Sequence, residues 1–148
     1  MIITLNKEHI DDLVFIENSC FSHPMSKANL LDSITNEKYV FLGFVVDDKV
    51  VAYGSVFIVS GEAYINNIAV LDDFRKQGIA KTIVNQLISI CESKNCEFVT
   101  LEVRESNLPA ISLYEKKGFE KVTIRKNYYN EPIENAIIMT NFLEKNKW

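Results

Sequence analysis

The chain has 148 residues, 47% hydrophobic and 24% charged, a length and balance that suit one globular domain spanning 1–148 and argue against disorder. Its formal net charge of -4 disfavours a general nucleic-acid binder, because such affinity rests on cations that neutralise phosphates. The same charge is compatible with a basic protein or peptide partner.

Ile2 to Leu5 reads as a short strand. Asn6 is placed to cap a helix running through Glu17, in which Ile10, Leu13, Val14 and Ile16 fall on one side at 3.6 spacing. Pro24 pushes the residue before it out of helical geometry, so Phe21 to Met25 is a loop. Ser26 then caps a second helix with Ala28, Leu30, Leu31 and Ile34 as its apolar set. Val40 to Val46 and Val50 to Val59 are β-branched and aromatic and flank the turn pair Asp47-Asp48, a hairpin. Ser60-Gly61 is the next turn, and Glu62 to Val70 a third consecutive strand. A long helix opens near Gly78 and stops at Asn95, and Phe98 to Val103 is a strand suited to a buried sheet. Asn107 and Pro109 start a short helix that Gly118 closes. Phe119 to Ile124 and Ala136 to Thr140 are the last strands, joined by a polar segment, Lys126 to Pro132. The order β-α-α-β-β-β-α-β-α-β-β is met most simply by a single mixed α/β sheet with helices on both faces.

The stretch Asn66 to Lys81 organises this chain. Ile68, Ala69 and Val70 end a strand, Asp72-Asp73 breaks it, and Arg75, Lys76, Gln77 and Gly78 lead into Ile79, Ala80, Ile83, Val84 and Leu87 at helical spacing. A helix N-terminus presents unpartnered N–H groups and partial positive charge, so anions bind there. Gly78 and the small Ala80 let a phosphate approach, and Arg75, Lys76 and Lys81 add charge. On these residues alone an ordinary strand-to-helix turn with solvated cations remains an equal alternative.

Cys20, Cys91 and Cys96 are odd in number and form no C-x-x-C, and His9 and His23 are isolated, so neither a disulfide framework nor a metal site is implied. No segment approaches the ~20 apolar residues of a membrane span, and Met1 to Thr4 lacks the basic start of a signal peptide. A reduced, cytoplasmic enzyme or binding domain is expected.

Three local patterns occur in a telling order: N-N-I-A-V followed by R-K-Q-G-I-A (Asn66 to Ala80), L-E-V-R-E-S-N (Leu101 to Asn107) and L-Y-E-K-K-G-F (Leu113 to Phe119). On them, and on its element order, the chain resembles the GCN5-related N-acetyltransferase (GNAT) superfamily. With R-K-N-Y-Y (Arg125 to Tyr129) and A-I-I-M (Ala136 to Met139), it is most similar to the bacterial ribosomal-protein-alanine N-acetyltransferases. Ala80 stands where that family often has Gly, and Met25 where it commonly has Trp after Pro24.

The resemblance implies the GNAT fold and transfer of an acetyl group from acetyl-coenzyme A, without a metal, to the α-amine of a basic protein N-terminus. The family's acceptor is the N-terminal alanine of a small-subunit ribosomal protein. Cofactor binding is then expected along Ile68, Ala69 and Val70 for the pantetheine arm. Arg75, Lys76, Gln77, Gly78, Ile79, Ala80 and Lys81 would hold the pyrophosphate, and Asn107 would contact the pantetheine end while capping its helix. The N–H of Val70 is expected to face the thioester carbonyl oxygen.

Glu102, a carboxylate between Leu101 and Val103, is expected to be the general base, with a salt bridge or a solvent-facing edge position as the plainer role. An α-amine of pKa about 7.7–8.0 is roughly a tenth to a fifth free base near pH 7, so a modest base suffices. Tyr114 is expected to be the general acid, an ordinary phenol passing its proton to a thiolate at a cost of ~2 kcal/mol, or else a buried aromatic. Tyr128 and Tyr129 are candidates to line the acceptor groove. No membrane or direct nucleic-acid contact is expected, and the chain is expected to be a monomer or weak dimer. The alternatives are a GNAT enzyme acting on a small-molecule amine or a lysine side chain, and a noncatalytic coenzyme A-binding module.

Overall fold

The computed structural model describes residues 1–143. The elements are β1 (Ile2–Thr4), α1 (Ile10–Cys20), α2 (Lys27–Ile34), β2 (Tyr39–Val46), β3 (Lys49–Val59), β4 (Glu62–Val70), α3 (Ile79–Ser93), β5 (Phe98–Arg104), α4 (Leu108–Lys116), β6 (Glu120–Tyr129) and β7 (Glu134–Asn141), with short 3-10 turns at Lys7–His9 and Asp72–Phe74. The strands form one mixed α/β sheet of seven, in the order β1-β2-β3-β4-β5-β7-β6. Only β4 and β5 pair in parallel among the registered pairs. No helix among the described residues is long and apolar enough to cross a membrane. The chain packs as two compact units, the first of Met1–Phe57 with Ile65–Ser89, the second of Ile58–Tyr64 with the chain from Ile90 onward.

In the first unit β1 and β3 pair antiparallel with β2 on either side, and the β2–β3 turn places Asp47 and Asp48 at φ of +50° and +64°. Two left-handed residues in succession make the turn whose twist matches a hairpin, and Asp tolerates that conformation better than most residues. Asn6 caps as expected. Its Oδ1 accepts from the Glu8 N–H at 2.9 Å while its own N–H donates to His9 Nδ1 at 3.0 Å, and this reciprocal pair tightens the first turn into 3-10 geometry before α1. Leu13 and Ile16 of α1, Leu30 of α2, Phe41, Tyr53 and Ala69 form one buried cluster. Asp12 Oδ2 accepts from the Val50 N–H at 3.1 Å and ties α1 to the start of β3.

Gly54 sets the distance between β3 and α3. A Cβ there would stand 2.6 Å from Ile83 Cγ2 and 2.7 Å from Ile68 Cδ1, so any side chain would force those isoleucines to shift. The helix therefore lies directly on the strand, and its N-terminus is brought to the end of β4.

In the second unit the first residues of β4 pair with β5 (Glu62↔Phe98 to Tyr64↔Thr100), β5 pairs antiparallel with β7, and β7 with β6. Asn107 Oδ1 accepts from the Ala110 N–H at 3.3 Å, capping α4 as its sequence requires. β6 runs to Tyr129, so residues 126–129, read from their polarity as a connecting segment, belong to the strand. The ladder is irregular between Arg125 and Tyr129, where Asn127 adopts φ +54° and its N–H donates to Asn135 Oδ1 at 2.9 Å. That side-chain acceptor replaces the lost strand partner, and the strand continues past the bulge. As the last strand in the order, β6 is exposed along nearly its whole length, so polarity carries no information about pairing there.

Candidate active site

In the first unit the β4–α3 connection has the form an anion site requires. The carbonyl of Gly78 accepts from the Thr82 N–H at 3.1 Å, the first bond of α3, which leaves the N–H groups of Ile79, Ala80 and Lys81 without a partner in the helix. Lys76 at φ +61° and Gly78 at φ +80° turn the chain into that helix. A Cβ built on Gly78 meets nothing within 4 Å, so the space beside it is open to a phosphate. Backbone conformation, rather than crowding by neighbouring protein atoms, is what selects glycine here. Lys76 and Lys81 are exposed beside it.

Arg75 is used differently. Its Nε donates to the Val70 carbonyl at 2.9 Å and its Nη1 lies 2.7 Å from Asp72 Oδ1. Cys20 Sγ donates to the same Val70 carbonyl at 3.5 Å. Gln77 likewise turns back, its Nε2 donating to the Asp73 carbonyl at 3.3 Å. The Arg75 and Gln77 side chains thus brace the turn, and the main-chain N–H groups with Lys76 and Lys81 are what remains presented.

Glu17, at the end of the apolar stripe of α1, and Tyr53, within β3, meet in the core, a pairing that neither residue's local sequence announces. Glu17 is 1% exposed, with Oε2 accepting from the Tyr53 hydroxyl at 2.6 Å and Oε1 from the Met25 N–H at 2.8 Å. Asn67 Nδ2 donates to the Tyr53 oxygen at 3.4 Å. The Tyr53 phenol is pushed well above its ordinary range, by burial first and by Glu17 second. One signal was available: Ile10, Leu13 and Glu17 share a helical stripe, so the carboxyl occupies a core position.

In the second unit Glu102 lies on the face of β5 that also carries Thr100 and Arg104, opposite the buried Leu101 and Val103. Its Oε1 is 3.4 Å from Arg125 Nη1, so the salt bridge named as its plainer role is present. A hydrogen bond to Glu102 raises the Tyr128 phenol, and burial followed by the Glu102 charge pushes Tyr129 up to about 12. The two rings meet edge-on at 5.1 Å, with the Arg104 guanidinium 4.3 Å over Tyr129 and that of Arg125 5.5 Å over Tyr128. Arg104 also pairs with Glu134 at 3.2 Å. Glu134 and Glu105 line a recess of about 350 Å³ at the end of β5, with Asn127 and Asn135.

Tyr114 projects from α4 into the interior at 8% exposure, its ring 5.7 Å from that of Phe119. Burial pushes its hydroxyl up to about 12. Asn107 spends its side-chain oxygen on the α4 cap, which leaves its amide N–H groups as donors. Residues 68–81 therefore belong to the first unit, while Glu102 on β5, Tyr114 on α4 and Asn107 at the α4 N-cap belong to the second.

The profile of the acetyltransferase (GNAT) family matches residues 6–119. A putative ribosomal protein bS18-alanine N-acetyltransferase of Bacillus subtilis is 35% identical over 133 residues, 89% of this chain and 88% of that protein. The ribosomal protein bS18-alanine N-acetyltransferase of Haemophilus ducreyi is 36% identical over 146 residues, 97% of this chain and 100% of that protein. Among solved structures, the ribosomal-protein-S18-alanine N-acetyltransferase from Escherichia coli superposes with a TM-score of 0.88 at 33% identity, over 95% of this chain and 91% of that one.

Proposed function

We propose, because this chain belongs to the acetyltransferase (GNAT) family, that residues 1–148 act as one domain moving the acetyl group of acetyl-coenzyme A to the α-amine of a protein N-terminus, the acceptor being the N-terminal alanine of ribosomal protein bS18. The acceptor is carried by a single observation: the Haemophilus ducreyi relative, matched over its full length, is a ribosomal protein bS18-alanine N-acetyltransferase. A ribosomal acceptor places the reaction in the cytoplasm. The carboxylates of Glu105 and Glu134 in the recess suit a basic acceptor segment.

The donor supplies an activated acyl carbon and a thiol leaving group; the remaining work falls to the chain. The N–H groups of Ile79, Ala80 and Lys81, with Lys76 and Lys81 as cations and Gln77 and Gly78 shaping the turn, hold the pyrophosphate. Ile68, Ala69 and Val70 offer main-chain groups to the pantetheine arm, and the Asn107 amide donates to it. The Val70 N–H stabilises negative charge developing on the carbonyl oxygen. Glu102, aimed by Arg125, takes a proton from the acceptor amine, directly or through water.

Tyr114 supplies the leaving group with a hydrogen bond more than with a proton. With its hydroxyl near 12 and a thiol near 8.5, full transfer is uphill by about 5 kcal/mol, more than twice the figure for an ordinary phenol. Partial transfer is enough.

Mass spectrometry of bS18 in cells with and without this protein tests the assignment. An acetylated alanine terminus that disappears on deletion is expected. A terminus equally modified, or equally free, in both strains removes bS18 as the acceptor. A panel of peptides varied at the first positions against free lysine and small amines then measures how far specificity extends.

A further inference from the structure

Arg75 is the first residue of R-x-x-G-x-A, and its charge invites the role of phosphate ligand; its side chain is half exposed, yet each of its three guanidinium nitrogens has a protein neighbour. Nε donates to the Val70 carbonyl at 2.9 Å, Nη1 pairs with Asp72 Oδ1 at 2.7 Å, and Nη2 lies 3.9 Å from Cys20 Sγ. The peptide unit that joins Val70 to Leu71 is held from both sides. Its carbonyl accepts from Arg75 and Cys20, and its N–H, that of Leu71, donates to the Val51 carbonyl at 3.0 Å. This is the point where β4 ends, so the ladder supplies no further restraint beyond it. Strand ends left to themselves fray.

We propose that Arg75 is a positioning residue that fixes the Val70–Leu71 peptide, and through it the aim of the Val70 N–H, and that it is not a ligand for the donor's phosphates. The clamp deepens the reading of Val70 as the donor to the reacting carbonyl and rests on it for its effect on rate. A planar fork is what the position needs, since one side chain must reach a carbonyl, a carboxylate and a thiol in different directions. Lysine keeps the charge and has only a point donor. The substitution Arg75→Lys therefore separates the two roles: it preserves a phosphate contact and dismantles the clamp.

For Arg75→Lys in the full chain, acetyl transfer is expected to lose at least fivefold in kcat, within the ~10²–10³ that removal of a whole carbonyl-oxygen donor costs. Its Kd for coenzyme A by calorimetry is expected to stay within twofold of wild type, and hydrogen exchange at the Leu71 N–H to accelerate at least fivefold. Asp72→Ala, which removes the acceptor of Nη1 without touching Val70, shifts kcat and Leu71 exchange in the same direction and serves if the lysine variant does not fold. Wild-type kcat and Leu71 exchange in either folded variant overturns the proposal, as does a Kd raised tenfold with kcat kept. If the wild-type chain acetylates no peptide amine, Leu71 exchange and coenzyme A binding still decide the clamp, and the failure belongs to the acceptor assignment.

Discussion

Tyr114 shows how burial changes what a residue can do. In the sequence it is one tyrosine of six, with an ordinary phenol; in the fold it is 8% exposed and its hydroxyl is pushed up to about 12. Tyr114→Phe is expected to lower kcat about tenfold or more while leaving the Kd for acetyl-coenzyme A nearly intact, as a turnover assay and calorimetry would register. The same shift has a stability signature. Between pH 10 and 12 the unfolded phenol ionises while the folded one stays neutral, so the folded state loses stability as pH rises through that window. The loss amounts to about 2–3 kcal/mol, and urea titrations across the range should flatten correspondingly in the Phe variant. Glu17 is the residue whose importance the sequence concealed. Glu17→Ala strands the Tyr53 hydroxyl and the Met25 N–H, and a loss of about 3 kcal/mol in unfolding free energy is expected, with Glu17→Gln milder because it retains one acceptor.

Among the elements, caps and turns were legible because their cues lie within four residues of the structure they cause. Asn6, Ser26 and Asn107 all accept from N–H groups of the helices that follow them. The far end of β6 was not legible: an edge strand needs no apolar face, and the side chain that rescues its bulge comes from Asn135 on another strand. The β4–α3 turn makes a sharper case. Gly78→Val places a β-branched residue at φ +80° and is expected to raise the Kd for coenzyme A at least tenfold by calorimetry, with Gly78→Asn less affected because Asn tolerates that region. Gly54→Ala acts on the other support of the same helix. Its Cβ would collide with Ile83 and Ile68, so denaturant titration should show a loss of about 1–3 kcal/mol.

For the whole molecule, the relevant quantity is charge. A net charge of -4 on the acetyltransferase favours encounter with a basic acceptor and is screened by salt. Raising ionic strength from about 20 to 200 mM is expected to lower kcat/KM several-fold for a peptide followed by arginines and lysines, and to leave a neutral peptide of the same first residue nearly unchanged. Equal salt dependence for both would detach the acidic character from acceptor choice.

From its residues alone the chain determined its element order, the position of the strand-to-helix turn at Gly78 and its membership of a family, because each is written in contiguous patterns that local backbone preferences translate directly. Tertiary structure decided what individual side chains are for. Arg75 meets Cys20 across 55 positions, Glu17 meets Tyr53 across 36, and Glu102 meets an arginine on a different strand. A sequence fixes which charges and hydroxyls exist, whereas their partners are chosen by the packing of helices and strands. The same arginine is therefore a phosphate ligand or a main-chain clamp according to where the fold turns it.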